Sequence, residues 1–178
     1  MHRSLLLVVA GTLVLGLTAC EKEAAPPAAD AKICGVTPAS WWFDATGAAG
    51  LTGTRDGTLP LTNPTQSDAT YKSAECRVFS EGKEVGSFRA ELTTKDSIKD
   101  ANGSFRNYPA AGKFTVAGGS GVVEPTKGDD ATRAWWTCKT TLLRVQLTKP
   151  KDKDSRDQLV KDLAQQIAET VGCPGPDA

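Results

Sequence analysis

The chain has 178 residues and carries 21 lysine and arginine residues against 21 aspartate and glutamate residues. That balance excludes a nucleic-acid partner on electrostatic grounds, because such recognition needs a basic face. The only histidine is His2, so the chain beyond its first few residues lacks the usual general base and the commonest side-chain metal ligand. Ser-His-Asp and Cys-His catalysis and His-containing zinc sites are excluded. No residue is nominated for carboxylate-only or Ser-Lys hydrolysis, and no catalytic, cofactor or metal residue is assigned.

Met1-His2-Arg3 is a basic start, and an apolar segment follows from Leu5 to Leu15. At about a dozen residues it has the length of a secretory signal, not of a spanning helix, which needs roughly 20. Leu17-Thr18-Ala19-Cys20 closes it. This run resembles the lipobox of bacterial lipoproteins, with Thr18 standing where Ala or Ser is more usual. The resemblance implies that residues 1–19 are a signal peptide, that the Cys20 thiol is lipidated, and that Cys20 becomes the new N-terminus. The domain is then expected on the extracytoplasmic side of the cell membrane. With charge so balanced, attachment must come from lipid: at about 0.8 kcal/mol per buried CH₂, one acyl chain holds weakly and two hold stably.

Glu21 to Lys32 offers only alanine and proline as apolar side chains and cannot bury enough to fold. Residues 20–33 read as a lipidated tether spanning at most about 40 Å, and residues 34–178 as a single disulfide-stapled extracytoplasmic domain. Five cysteines are present, an odd count that needs explaining in an exported chain. Assigning Cys20 to lipid leaves Cys34, Cys76, Cys138 and Cys173, with no C-x-x-C pair. Two structural disulfides are the expectation; a Cys₄ zinc site is the rival, although its ligands normally come in close pairs. Of the three pairings, Cys34–Cys76 with Cys138–Cys173 is favoured because each joins segments adjacent in the chain. Each bond would close a loop of roughly 40 residues and constrain the unfolded chain by roughly 4 kcal/mol. The crossed pairing, Cys34–Cys173 with Cys76–Cys138, would staple the two ends together instead.

Within the domain, Thr37 as N-cap, Pro38 at the first helical position and Gly47 as stop predict a short helix through Ser40 to Thr46. Residues Gly50 to Ser73 are rich in Gly, Thr, Pro and Asn and read as a long irregular segment. The period then becomes two. Ala74 to Ser80 and Val85 to Thr93 predict a hairpin around Glu81-Gly82-Lys83-Glu84. A short helix is expected near Lys95 to Ala101. Short strands follow at Lys113 to Ala117 and Gly121 to Glu124, then a second hairpin at Thr132 to Lys139 and Leu142 to Thr148. The clearest helix is the last. Val160, Leu163, Ala164, Ile167, Ala168 and Val171 recur at three- and four-residue spacing. Ser155 and Gln158 suggest a capping box, Asp157 a supporting pair with Lys161, and Gly172 and Pro174 the stop.

Two aromatic pairs stand out, Trp41-Trp42 and Trp135-Trp136. On a helix neighbours diverge by roughly 100°, and on a strand they face opposite sides. Either helices cover both sheet faces and bury all four, or one tryptophan of each pair lines a ligand groove. Exposed indoles stack on sugar rings, and all four are candidate ligand residues on that ground. Gly118-Gly119-Ser120-Gly121 has the look of a phosphate cradle but lacks the following lysine and the G-x-G-x-x-G spacing; a turn is the simpler account. Glu124 with Asp129-Asp130 lacks a calcium-loop pattern, and Lys149 to Asp157 alternates in sign as a solvated linker does.

The layout places a short helix behind a first cysteine, hairpins in the middle and a capped C-terminal helix ending in a cysteine. It resembles small actinobacterial lipoproteins of unknown function and, more distantly, the extracellular sensor-like domains of actinobacterial serine/threonine kinases. The resemblance implies an α+β fold, a mostly antiparallel sheet with a short N-terminal and a longer C-terminal helix packed on it. It also implies an uncharacterised binding role. The expected function is a membrane-anchored binding or sensor-like module for a small ligand, glycan, lipid or envelope protein, needing no cofactor. The alternative is a structural or interaction protein of the envelope with no small-molecule site; a His-independent hydrolase is the least favoured.

Overall fold

The computed structural model describes residues 24–57, 73–125 and 131–173. Cys20 and the expected signal peptide lie outside the described residues, as do Asp129 and Asp130. The described chain runs through a two-residue ribbon, β1 (Lys32–Ile33) and β2 (Thr37–Pro38), into α1 (Ala39–Thr46) and an edge strand, β3 (Thr52–Asp56). A hairpin follows, β4 (Ser73–Ser80) and β5 (Lys83–Leu92), then α2 (Lys95–Phe105). A turn of 3₁₀ helix leads into β6 (Lys113–Val116), β7 (Gly119–Glu124), β8 (Thr132–Cys138) and β9 (Thr141–Leu147), and α3 (Arg156–Val171) closes the domain. Seven strands form one antiparallel sheet in the order β3-β4-β5-β9-β8-β7-β6. The fold is the expected α+β arrangement.

Period-two sequence becomes two unlike sheet faces. One carries Cys76, Val78, Phe88, Ala90, Ala134, Trp136, Leu143, Val145 and Leu147, all buried. On it lies α3, whose Val160, Leu163, Ala164, Ile167, Ala168 and Val171 form the buried stripe that the spacing predicts. Each of the larger of these side chains contributes roughly 1.5–3 kcal/mol by leaving water. Beside α3 on the same face, α1 inserts Trp42 and Ala45. Both disulfides cap this layer. Cys34–Cys76 ties the ribbon to β4 with a Cα separation of 6.1 Å, and Cys138–Cys173 ties β8 to the end of α3 with 5.5 Å. This is the favoured pairing, so the crossed pairing and the zinc alternative are set aside.

The core explains the glycines. The ring of Trp42 lies on Gly86, that of Trp136 on Gly119 and that of Phe114 on Gly121, where any Cβ would collide with them. Glycine on these strands lets an aromatic ring approach the backbone closely. Gly119-Ser120-Gly121 is therefore strand, and Gly118 is the tip of the β6–β7 turn with φ +75°.

Several local expectations need correcting. The segment from Gly50 to Ser73 contains β3, a strand with every residue exposed and so without the apolar alternation that marks strands; residues 58–72 lie outside the described residues. Helix α2 runs to Phe105, further than expected, from Thr94, whose hydroxyl accepts from the Ser97 N–H. Thr37 does not cap α1. Its Oγ1 accepts from Trp42 Nε1 at 3.0 Å, and Pro38 takes the cap position. No capping box forms at α3: Ser155 Oγ donates to Asp152 Oδ2 at 2.6 Å, and the Gln158 amide donates to Asp162. Lys161 reaches the Ala111 carbonyl rather than Asp157. Both glycine stops are as read, with Gly47 and Gly172 at positive φ and their N–H groups on the Phe43 and Ala168 carbonyls; Pro174 lies outside the described residues.

Candidate functional site

The tryptophan pairs split as neighbouring positions must. Trp42 and Trp136 have no accessible surface. Trp42 stacks on Phe88 with ring centroids 6.5 Å apart, and Trp136 Nε1 donates to the Val116 carbonyl at 3.0 Å. Both are core, with ring and N–H satisfied inside, and neither presents a face to a ligand. Trp41 and Trp135 are half-buried. They do not share a groove: Trp41 packs beside the core on the α1 side, while Trp135 lies on the opposite face of the sheet from Trp136. The reading that buries all four does not hold, and neither does a groove joining both pairs.

Among the described residues, the face that carries Trp135 is the less covered one. Among the described helices α2 packs there, against β7 and β8; Ile98 is buried beneath it, and Thr137 Oγ1 donates to Asn102 Oδ1 at 2.6 Å. Beyond α2, antiparallel register sets a row of side chains across the strands. Glu75 stands opposite Arg89, Arg89 opposite Arg144, Arg144 opposite Trp135, and Trp135 opposite Val122. Two arginines directly opposite each other repel, so the disposition of their charges matters.

Three arginines of this face have a carboxylate. Arg77 binds Glu84 at 2.5 Å, Arg89 binds Glu91 at 3.2 Å, and Arg133 lies 3.9 Å from Glu124 while donating to Gln146. The hydrogen bond and charge of Glu84 hold the Arg77 guanidinium above its ordinary pKa. Arg144 differs. Its guanidinium lies 5.8 Å from the centroid of the Trp135 ring, and among the described residues no carboxylate is within ion-pair distance of it. Trp135 Nε1 donates to Glu124 Oε2 at 3.4 Å, which orients the ring beneath the guanidinium. A cation–π contact at a partly exposed site contributes roughly 0.5–1 kcal/mol. It organises Arg144 without neutralising it. The pair thus offers a flat apolar surface edged by an unneutralised planar cation with several N–H donors.

Arg144 and Arg89 were not singled out by the sequence reading. The alternation in β9 gives Arg144 its outward position, but which side chains face it depends on a register that only the folded sheet sets. Glu124 is engaged by Trp135 and Arg133, and no group of three His, Cys, Asp or Glu residues is placed to hold a metal ion among the described residues. No described helix is long and apolar enough to cross a membrane. No protein-family model matches the chain, and no curated protein or solved structure matches it either.

Proposed function

We propose that this chain is a lipid-anchored, extracytoplasmic binding module of the cell envelope, with its ligand surface on the open sheet face around Trp135 and Arg144. The observation that carries the reading is Arg144, which lies 5.8 Å from the ring centroid of a half-buried indole and has no carboxylate partner among the described residues, on a face where the three other arginines have acidic partners. A ring bearing a negative group satisfies both parts, the ring lying on Trp135 and the anion on the Arg144 fork. An acidic sugar of an envelope glycan has that chemistry. The lipobox supports the location, since an anchored domain on a short tether samples the envelope close to the membrane.

The test is titration of the oxidised domain, begun at Ala24, with acidic and neutral oligosaccharides of matched ring number. Tryptophan emission and acrylamide quenching report occupancy. Acidic sugars should shift the emission and protect one tryptophan, and both effects should vanish in Trp135→Phe and weaken in Arg144→Gln. Equal responses to neutral and acidic sugars, or an unchanged response in Trp135→Phe, would overturn the proposal.

A further inference from the structure

A second feature lies at the C-terminal end of α2, next to the Trp135 surface, which it meets at Val122, and it rests on different charged residues. Helix α2 ends in Phe105, and the chain returns through Arg106, Tyr108 and the 3₁₀ turn Ala110–Gly112 to begin the edge strand β6 at Lys113. Between the helix end and strands β6 and β7 this return leaves an open cavity of about 590 Å³. That volume falls within the range of small-molecule sites, roughly 300–1,000 Å³. Phe105 and Val122 supply apolar lining, Thr115 and Ser120 polar lining, and Arg106 and Lys113 the charge.

The sign of that lining is one-sided. The chain as a whole is balanced, with 21 basic and 21 acidic residues, yet among the described residues this cavity is lined by two cations and no carboxylate. Lys113 Nζ donates to the Arg106 carbonyl at 3.3 Å, which holds the ammonium at the C-terminal end of α2. Neither cation has a carboxylate within ion-pair distance among the described residues. Asn102, also in the lining, accepts the Thr137 hydroxyl on Oδ1, so its amide NH₂ remains as a donor. An apolar surface beside three donors, two of them cationic, complements a molecule with an apolar body and an anionic oxygen group.

We propose that this cavity binds a single-chain amphiphile with an anionic head, its alkyl chain against Phe105 and Val122 and its carboxylate or phosphate on Arg106, Lys113 and Asn102. A free fatty acid and a single-chain phospholipid share this chemistry.

The test uses decanoate and decyl phosphate below their micelle concentrations, with decanol as the uncharged chain and inorganic phosphate as the bare head. Isothermal titration of the oxidised domain reads affinity, and a bromine-labelled decanoate reads position by quenching Trp135, which stands directly opposite Val122. Both decyl anions should bind at least tenfold more tightly than decanol or phosphate, whichever of the two heads is preferred. A carboxylate preference identifies a fatty acid and a phosphate preference a phospholipid. The double variant Arg106→Gln/Lys113→Gln should lose at least tenfold in affinity. Ser120→Glu, at an exposed position, should do the same by placing an acid in the cavity. Lys83→Gln, at the exposed start of β5 and outside the cavity lining, should bind as the parent does. Decanol binding as well as decanoate, full affinity in either cavity variant, or loss of binding in Lys83→Gln would each overturn the proposal.

Discussion

Replacing Gly86 with alanine tests whether the core tryptophan is held as tightly as its surroundings indicate. A Cβ at this position would sit 2.7 Å from Trp42 Cζ3 and 2.7 Å from the Gln146 carbonyl oxygen. The indole cannot swing away, because it is fully buried, bonded through Nε1 to Thr37 and stacked on Phe88. Overpacking of this kind costs roughly 1–3 kcal/mol, and the lower entropy of the unfolded alanine chain offsets about 0.4–1 kcal/mol of it. The net loss is about 1–2 kcal/mol, or a fall of about 2–8 °C in melting temperature for a domain of roughly 150 residues. Gly103 is the matched comparison: it lies within exposed α2, and an added Cβ meets nothing within 4 Å. There the same substitution should stabilise by up to about 1 kcal/mol through helix propensity. The assay is thermal unfolding of both variants, with near-ultraviolet circular dichroism to read the Trp42 environment. Gly86→Ala should melt below the parent with an altered aromatic signal, and Gly103→Ala at or above it with the signal kept. Equal melting temperatures for the two would refute the claim that Trp42 is packed immovably on bare backbone.

Three further outcomes are expected. Removing either disulfide as a Cys→Ala pair should cost about 4 kcal/mol in the chain-entropy model, and similarly for both, because the sequence separations of 42 and 35 residues differ little; calorimetry finding less than about 1 kcal/mol for either would contradict that model. Asp152 should titrate below the ordinary aspartate range, because its carboxylate accepts hydrogen bonds from Ser155 Oγ and the Asp154 N–H. Its contribution is then present at neutral pH and lost as pH falls through the lowered pKa, so Ser155→Ala should raise that pKa in an NMR titration; an unmoved value would count against the bond. Cys20→Ala should leave the protein out of the membrane fraction or with its signal uncut, and a variant still processed and lipid-labelled would sink the lipobox assignment.

Elements with a buried face were legible in the sequence. The α3 stripe and the β5, β8 and β9 alternations are direct prints of burial, and the disulfide pairing that chain order favoured is the one formed, although chain order by itself left the crossed pairing open. Strand β3 was not legible, because an edge strand of Thr, Gly, Arg and Asp buries nothing and leaves no period to read. The caps failed for a shared reason. Thr37 and Ser155 both have the side chain a cap needs, but a nearer partner claims each hydroxyl, Trp42 in one case and Asp152 in the other. The tryptophan pairs were legible as a division between faces, though not in their surroundings. That Arg144 stands between Arg89 and Trp135 is a matter of register across three strands, and the cavity at the end of α2 depends on where a helix stops. Neither is carried by any local run of residues.

The first disulfide also has a mechanical meaning. If the chain is held to a membrane at Cys20, tension on the domain enters through Lys32–Ile33, a strand paired with its neighbour over only two residues. That ribbon would unzip early under load. Cys34 follows immediately, and its bond to Cys76 hands the force to β4, which is hydrogen-bonded on both sides by β3 and β5. Pulling on the anchor would then shear a sheet rather than peel a ribbon, so an oxidised domain should resist stretching from its N-terminus far better than a reduced one.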